Sequence, residues 1–309
     1  MRSVFALLHD IYSTIRPVNA SLALFGSNTL PAAVFIGNLM KNFILAALVS
    51  VALTGCKDKP SGTEQTAVPH KAGEMETHMA GKLKHWGYEN EVGPEHWAAI
   101  VENSECGGRF QSPVNLVNYT VDPDLKPLEI HYADSTHIHD VINNGHSIQY
   151  NFEAGDYLVL EGKNYVLKQF HFHEPAEHLI DGVRYPMVLH LVHMSAEGSY
   201  VVLAIMAKEG RNSEPFEFLE RYLPLKHGDT VSVDQSFDMN LSLPPNKSYF
   251  TYTGSLTTPP CTENVRWFIF RDPITVSLQQ VEEIKDLMPL NNYRNIQPLN
   301  GRDIKLSDQ

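Results

Sequence analysis

The sequence predicts a mainly β fold of the α+β class, with one domain built around a large, mostly antiparallel, twisted central sheet and short peripheral helices. Short β-rich runs follow one another closely from Trp86 onward. Turn-forming residues separate them, as in Asn143-Asn144-Gly145 and Glu161-Gly162-Lys163-Asn164. A chain of 309 residues with 43% hydrophobic content can bury a sizeable core. Mainly β units of roughly 200–250 residues commonly form single domains.

The strands and helices can be assigned in chain order. Runs rich in β-branched and aromatic residues predict strands over Ile148–Phe152, Tyr157–Leu160, Tyr165–His173, Met187–Met194, Tyr200–Ala207 and Val265–Arg271. The two best helical patterns cover Ser213–Tyr222 and Leu278–Leu287. Ser277 is a suitable N-cap for the second helix.

The charge balance limits the classes of partner. The chain has 36 acidic and 24 basic residues, a formal net charge of −12. Binding to nucleic acid or to an anionic membrane surface requires clustered Lys and Arg, so neither is expected. Fifteen histidines are a high count. Histidine is the commonest metal ligand in proteins and titrates near neutral pH, so the placement of these residues decides what they do.

The first 55 residues are typical of a leader rather than of a folded domain. Residues 1–39 contain no clean apolar run of membrane-spanning length, and we expect them to be an over-extended start upstream of Met40. Residues 40–55 have a short basic start followed by an apolar run of secretory length. They end at Leu53-Thr54-Gly55-Cys56, which resembles the lipobox of bacterial lipoproteins, with Cys56 as the lipidated residue. The alternative is an ordinary signal peptide or weak anchor helix followed by a chance cysteine.

A tether and one domain follow the proposed leader. Residues 56–84 are polar and contain few large apolar side chains, which predicts a flexible tether. Residues 85–309 then form the folded domain. These segments predict a periplasmic protein that is lipid-anchored to a bacterial membrane through Cys56 alone, or a soluble periplasmic protein if Cys56 is not lipidated.

Two histidines separated by one residue lie at the end of a predicted strand. Because strand side chains alternate between faces, His171 and His173 share one face and Phe170 and Phe172 share the other. His190 lies on another predicted strand, and a neighbouring position would bring it opposite the pair. Three converging imidazoles form the open, three-ligand site of a catalytic zinc. A chance pair is the alternative, since a second His-x-His occurs at positions 137 and 139.

Further short motifs accompany the histidine pair. They are His85-Trp86-Gly87-Tyr88, Gly93-Pro94-Glu95-His96-Trp97, Gln111-Ser112-Pro113-Val114, Asn143-Asn144-Gly145-His146, Gln169–His173, Pro175-Ala176-Glu177-His178, Leu189–His193, Ser255–Pro260, Tyr293-Arg294 and Gln297-Pro298-Leu299. In this order they resemble the α-class carbonic anhydrases across almost the whole domain. The short link between His173 and Glu177 is similar to the bacterial branch of that family.

The resemblance implies a metal site and a reaction. His171, His173 and His190 would bind Zn²⁺, and Gln169 would orient His171. The reaction would be the reversible hydration of carbon dioxide to bicarbonate and a proton by zinc-bound hydroxide. A homodimer is left open by the sequence.

The resemblance also implies roles for residues around the metal. Thr257 would accept a hydrogen bond from the hydroxide and donate its own proton to Glu177, and the Thr257 amide would bind the developing bicarbonate. His146 would shuttle the proton to buffer, and its position after Asn143-Asn144-Gly145 favours an exposed cavity rim. The implied substrate pocket comprises Val192, Val202, Leu256, Thr258, Val265 and Trp267.

Two positions depart from the family pattern. Val188 replaces the glutamate that commonly holds the distal N–H of the third zinc histidine, and loss of such a partner typically costs 10–100-fold in metal affinity or activity. Gln149 replaces a common asparagine in the cavity wall, which should alter the pocket only slightly.

The resemblance further implies a disulfide between Cys106 and Cys261, which would brace the Thr257 loop. Two free buried thiols are the alternative. As a whole, the sequence predicts a zinc lyase, with a catalytically silent carbonic anhydrase-like binding domain as the alternative. A zinc hydrolase of another fold is disfavoured, because the HExxH helix and second-metal carboxylates are missing.

Overall fold

The computed structural model describes residues 85–233 and 235–307. Within these residues the α-helices are α1 Trp97–Ile100, α2 Glu214–Glu220 and α3 Leu278–Lys285, with 3-10 helices at Asn90–Val92 and Met239–Ser242. The strands are β1 Asn115–Leu116, β2 Thr120–Val121, β3 Glu129–His131, β4 Thr136–Asn143, β5 Ile148–Phe152, β6 Tyr157–Leu160, β7 Lys163–His173, β8 Leu179–Ile180, β9 Val183–Arg184, β10 Met187–Met194, β11 Tyr200–Glu209, β12 Thr230–Ser232, β13 Ser236–Phe237, β14 Tyr249–Ser255, β15 Glu263–Phe270, β16 Ile274–Val276 and β17 Lys305–Ser307.

One large mixed sheet dominates the described residues. It contains 14 of the described strands, and its main path runs β12-β4-β5-β7-β10-β11-β15-β14-β17-β2. Most neighbours are antiparallel, but β15 and β16 both pair with β11 in parallel, and β2 pairs with β17 in parallel. Strands β1, β8 and β9 form a separate small sheet. The fold class predicted from the sequence is confirmed.

The central strands separate two hydrophobic clusters because their side chains alternate between the two faces. On β10, Leu189 and Leu191 enter the larger cluster, while Val188 and Val192 enter the smaller one. Phe170 and Phe172 join the larger cluster and are fully buried, as the alternation on β7 predicts. Helices α2 and α3 pack onto the same face. The opposite face is therefore left for the histidines.

The predicted strands agree closely with the observed ones. The predicted bounds of three strands are identical to those of β5, β6 and β10, and the bounds of the other three differ from β7, β11 and β15 by one or two residues at their ends. Ser277 caps α3 as predicted, since its side chain accepts a hydrogen bond from the Gln280 amide. Strand β4 was not predicted, because its buried residues alternate with polar ones such as His137 and His139. Both of these histidines are exposed, so the second His-x-His pair lies on the solvent-facing side of β4.

The predicted leader at residues 1–39, the signal segment at 40–55, the tether at 56–84 and the lipidation of Cys56 lie outside the described residues. Among the helices of the described residues, none is both long enough and apolar enough to cross a membrane.

Candidate metal centre and active site

Three histidines converge from two neighbouring strands on the face opposite the larger cluster. His190 of β10 lies directly opposite His171 of β7, and His173 lies two residues further along β7, opposite Val188. The candidate ligand nitrogens of the three imidazoles all lie within 4.8 Å of one another. His173 and His190 are almost completely buried. The spacing of two on β7 and the strand register together produce the convergence that the sequence predicts.

Hydrogen bonds fix the orientation of both β7 histidines. His171 Nδ1 donates to the Gln169 side-chain oxygen at 2.8 Å, and His173 Nδ1 donates to the backbone carbonyl of Asn292 at 2.6 Å. Because each Nδ1 carries the proton, each Nε2 presents a free lone pair. The two Nε2 atoms lie 3.1 Å apart. Gln169 therefore holds His171 as the sequence implies, and Asn292 holds His173.

His190 faces the site through Nδ1, whereas the two histidines of β7 face it through Nε2. Its Nδ1 lies 3.8 Å from Oε2 of Glu177, and the same oxygen lies 3.5 Å from His173 Nε2. Its Nε2 is buried and has no hydrogen-bond partner among the described residues. Val188, on the same strand face, is fully buried and apolar. The acceptor that Val188 cannot provide is therefore not supplied by any other described side chain.

The donor set fits zinc. Three neutral imidazole nitrogens and an open fourth position are the ligand pattern of catalytic zinc sites. Burial lowers the pKa of both His171 and His190 well below the usual value, which keeps these rings in the neutral form that binds metal. His171, His173 and His190 would hold the ion.

A buried carboxylate lies beside the metal centre. Glu177 is fully buried, and its Oε1 accepts a hydrogen bond from the Arg294 backbone N–H at 2.9 Å. Burial raises the pKa of Glu177, while His173, a hydrogen bond from the Thr257 side chain and Arg294 act in the opposite direction. Thr257 is itself only 5% exposed. Thr257 and Glu177 therefore lie close together beside the histidines, and the hydrogen bond expected between them stays a prediction.

The loop that carries Thr257 is held from several sides. A disulfide joins Cys106 to Cys261, with the two Cα atoms 4.8 Å apart, so the expected bridge is present. The Arg294 guanidinium donates to the carbonyl oxygens of Cys106 and Ser112 at 2.9 and 3.0 Å. One arginine therefore supports Glu177 through its backbone and the disulfide region through its side chain.

Comparison with known proteins decides the family. A family model described as eukaryotic-type carbonic anhydrase matches residues 92–308. A carbonic anhydrase from Klebsiella pneumoniae is 38% identical over 222 residues, covering 71% of this chain and 89% of the relative. The chain belongs to the α-type carbonic anhydrase family.

Solved structures agree with this assignment. The α-carbonic anhydrase from Thermovibrio ammonificans, in complex with the inhibitor sulfanilamide, is 38% identical, with a TM-score of 0.68 over 72% of this chain and 98% of that one. Dioscorin in complex with ascorbate is 30% identical, with a TM-score of 0.67 over 73% of this chain and 99% of that one. The carbonic anhydrase fold thus also occurs in a protein of a different name. The residues of the site, rather than the fold alone, therefore determine the activity.

In this carbonic anhydrase, the strand register places one amide and three apolar side chains in a single row beside the histidines. Gln169, Val192, Val202 and Trp267 are successive cross-strand partners on β7, β10, β11 and β15. The row thus changes from an amide to apolar side chains across four strands. The apolar cluster on this face includes Val192, Val202, Val265 and Trp267 with partly buried Leu256, while Thr258 is half-buried beside Thr257. Five of the six pocket residues expected from the sequence therefore belong to one apolar cluster or pack against it, and their role in a substrate pocket stays a prediction.

His146 is half-buried, which differs from the exposed rim position expected from its turn. Its ring stacks on Trp86, with centroids 3.6 Å apart and planes 5° apart. Burial, followed by the charges of His85 and His227, lowers its pKa to about 4. A local turn signal could not reveal the indole, because Trp86 is 60 residues earlier in the chain.

Two important residues were missed by sequence reasoning. Asn292 is fully buried and joins several segments: its carbonyl holds His173, and its amide donates to the His146 carbonyl at 2.9 Å. Arg294 holds Glu177, and the sequence shows it only as a member of the Tyr293-Arg294 motif. That motif, which contains Arg294 and directly follows Asn292, is the one available signal. Nothing in their local pattern indicates which distant side chains they contact.

Proposed function

We propose that this carbonic anhydrase hydrates carbon dioxide reversibly, giving bicarbonate and a proton, with zinc held by His171, His173 and His190. The observation that carries the proposal is the convergence of three imidazoles beside a buried carboxylate and threonine. When bound, zinc acidifies a coordinated water and so makes a nucleophile available near neutral pH.

The threonine and the carboxylate orient the nucleophile. The hydroxyl of Thr257, which lies close enough to Glu177 to lower its pKa, would donate to this carboxylate, so the lone pairs of its oxygen would be left to accept a hydrogen bond from the attacking group. The Arg294 N–H holds Glu177 in place from the other side. The Thr257 amide would then bind the developing bicarbonate. Such positioning raises the rate because only one orientation of the nucleophile is productive.

The apolar wall receives the substrate. Carbon dioxide has no net dipole and binds weakly to water, so side chains such as Val192, Val202 and Trp267 provide a dry surface beside the nucleophile. Bicarbonate is charged and prefers the polar side. The change from Gln169 to Val192 across neighbouring strands therefore favours entry of the one species and release of the other.

The proton leaves through His146. An imidazole with an ordinary pKa of about 6.5 is suited to transfer near neutral pH. Stacked on Trp86, His146 has a pKa of about 4 and is a poor acceptor. The proposal therefore requires that the ring move off the indole and become hydrated during each transfer.

A catalytically silent binding domain is the competing function. It is considered because dioscorin, a protein of a different name, shares the fold. Stopped-flow measurement of carbon dioxide hydration separates the two. We expect activity that is lost when a chelator strips the metal and regained when zinc is added back. A folded, zinc-loaded protein without hydration activity would establish the silent domain.

Export and anchoring are further parts of the proposal. The Leu53-Thr54-Gly55-Cys56 motif supports cleavage before Cys56 and lipid attachment there, in the periplasm. The disulfide between Cys106 and Cys261 is compatible with an oxidising compartment. Intact-mass analysis of the protein from its native host tests the start, the lipid and the disulfide together. Native mass measurement of the same sample distinguishes a monomer from a homodimer.

A further inference from the structure

Two buried imidazole nitrogens beside the metal centre have no hydrogen-bond partner among the described residues. One is Nε2 of His190, the nitrogen that faces away from the other two ligands, and the other is Nδ1 of His178. The two rings lie 6.1 Å apart between centroids, at 75° to each other. Both side chains are almost fully buried. Buried polar atoms are rarely left without a hydrogen bond, so two unpaired nitrogens on neighbouring rings require an explanation.

The strand itself offers His190 no acceptor. Val188 lies two residues before His190 and therefore on the same face of β10. Its apolar side chain belongs to the cluster that includes Tyr252 and Trp267. The Trp267 ring is 4.9 Å from the His190 ring and provides no acceptor nitrogen, because its one ring nitrogen donates to the Ser255 carbonyl.

The hydrogen-bond partner of His178 allows the tautomer that is needed to serve His190. Its Nε2 lies 2.7 Å from the Tyr252 hydroxyl, which in turn lies 2.7 Å from Oγ of Ser112. A neutral imidazole has one donor and one acceptor nitrogen. If His178 Nε2–H donates to Tyr252, then Nδ1 carries a lone pair. His190 would hold the metal through Nδ1, the nitrogen that lies near Glu177, and would then carry its proton on Nε2. In these two states a donor and an acceptor lie on neighbouring rings.

We propose that His178 is a positioning residue for the metal centre: its Nδ1 accepts, through one bridging water, the hydrogen bond donated by Nε2–H of His190. The water would have one polar partner on each ring, which is the minimum number for a buried water. A neutral imidazole supports the ligand less strongly than a carboxylate would. The inference rests on the proposed zinc site, whose own failure would appear as a lack of zinc in the unmodified protein.

Release of zinc to a competing chelator tests the proposal. In zinc-loaded protein, His178→Phe keeps the ring volume and removes the acceptor, so we expect zinc to dissociate about ten times faster. His193→Phe is the matched control, because His193 is also fully buried but hydrogen-bonds to Tyr132 at the far side of β10. It should release zinc at the unmodified rate. Equal rates for His178→Phe and the unmodified protein would overturn the proposal.

A rescue experiment separates positioning from packing. Val188→Glu places a carboxylate on the strand face of His190, so in the His178→Phe background it should restore slow zinc release. Faster release that Val188→Glu does not reverse would mean that His178 only fills space, and would overturn the proposal. Thermal unfolding of the metal-free variants checks that each one folds.

The unmodified protein offers a measurement that needs no variant. Histidine ring ¹⁵N shifts in the zinc-loaded, ¹⁵N-histidine-labelled protein report which nitrogen carries the proton. The proposal requires the Nε2–H tautomer for His178 and a protonated Nε2 on His190. Finding the Nδ1–H tautomer for His178 would overturn it.

Discussion

The two strands that carry the metal ligands support them in different ways. On β7, His171 donates to Gln169 and His173 donates to the Asn292 carbonyl, so each outward nitrogen has a direct acceptor. On β10, His190 has none among the described residues, because Val188 occupies the adjacent position on its face. The same three-histidine site is thus held firmly on one strand and loosely on the other. Register can bring ligands together without ensuring that each one is supported.

Removing one histidine ligand should have the largest effect on zinc retention and on the hydration rate. The loss should be similar whether the ligand lies on β7 or on β10. In His190→Ala, two imidazoles remain, and we expect the protein to lose zinc during gel filtration and to lose at least about a thousand-fold in hydration rate. His137→Ala is the control, because His137 belongs to the exposed pair on β4. Retention of one zinc per chain by His190→Ala would show that the metal lies elsewhere.

A change on the reacting side should separate turnover from metal retention. Thr257→Val removes the hydroxyl beside Glu177 that would orient the nucleophile, so we expect kcat/KM to fall about 100-fold with unchanged zinc content. Thr253→Val on exposed β14 surface is the matched control. If Thr257→Val lost zinc as well, Thr257 would support the ligands rather than orient the nucleophile.

Removing an existing support should have a smaller effect. Gln169→Ala deprives His171 of its acceptor at 2.8 Å, and we expect zinc to dissociate about ten times faster. Gln169→Glu keeps an acceptor oxygen and should release zinc no faster than the unmodified protein. An unchanged rate in Gln169→Ala would mean that hydrogen bonding to the outward nitrogen matters little, and the contrast between the strands would lose its meaning.

The smallest effect concerns a histidine that is not a ligand. Trp86→Ala removes the ring stacked on His146, so water should return and raise its pKa from about 4 towards 6.5. A histidine with the higher pKa accepts a proton more readily at pH 6–7, so turnover in weak buffer should rise a few-fold. NMR titration of His146 checks the shift, with Trp86→Phe as the control. A pKa that stays near 4 would place the cause in His85 and His227.

The parts of the site set by local pattern could be predicted from sequence. Alternation on a strand places His171 and His173 on one face, and the same rule places Phe170 in the core. The third ligand required a neighbouring strand, and the observed register supplies it. Asn292 could not be found in this way, because it is 119 residues from His173 and contributes a backbone carbonyl that every residue possesses.

The Val188 departure was visible in the sequence, but its consequence was not. Only the packed structure shows that His178 and His190 each have an unpaired nitrogen on neighbouring rings. The stacking of His146 on Trp86 was likewise not visible in the sequence, because it depends on how the fold places the segment around Trp86 next to His146. Pairwise contacts between segments far apart in the chain depend on the whole fold.

Zinc release from Val188→Glu, measured beside Gln169→Ala and the unmodified protein, tests the contrast between the strands most directly. A carboxylate at position 188 would give His190 the direct acceptor that His171 and His173 already have. We predict that zinc leaves Val188→Glu about ten- to a hundred-fold more slowly than it leaves the unmodified protein, the opposite direction from Gln169→Ala. A folded Val188→Glu protein that releases zinc at the unmodified rate, or faster, would contradict the account.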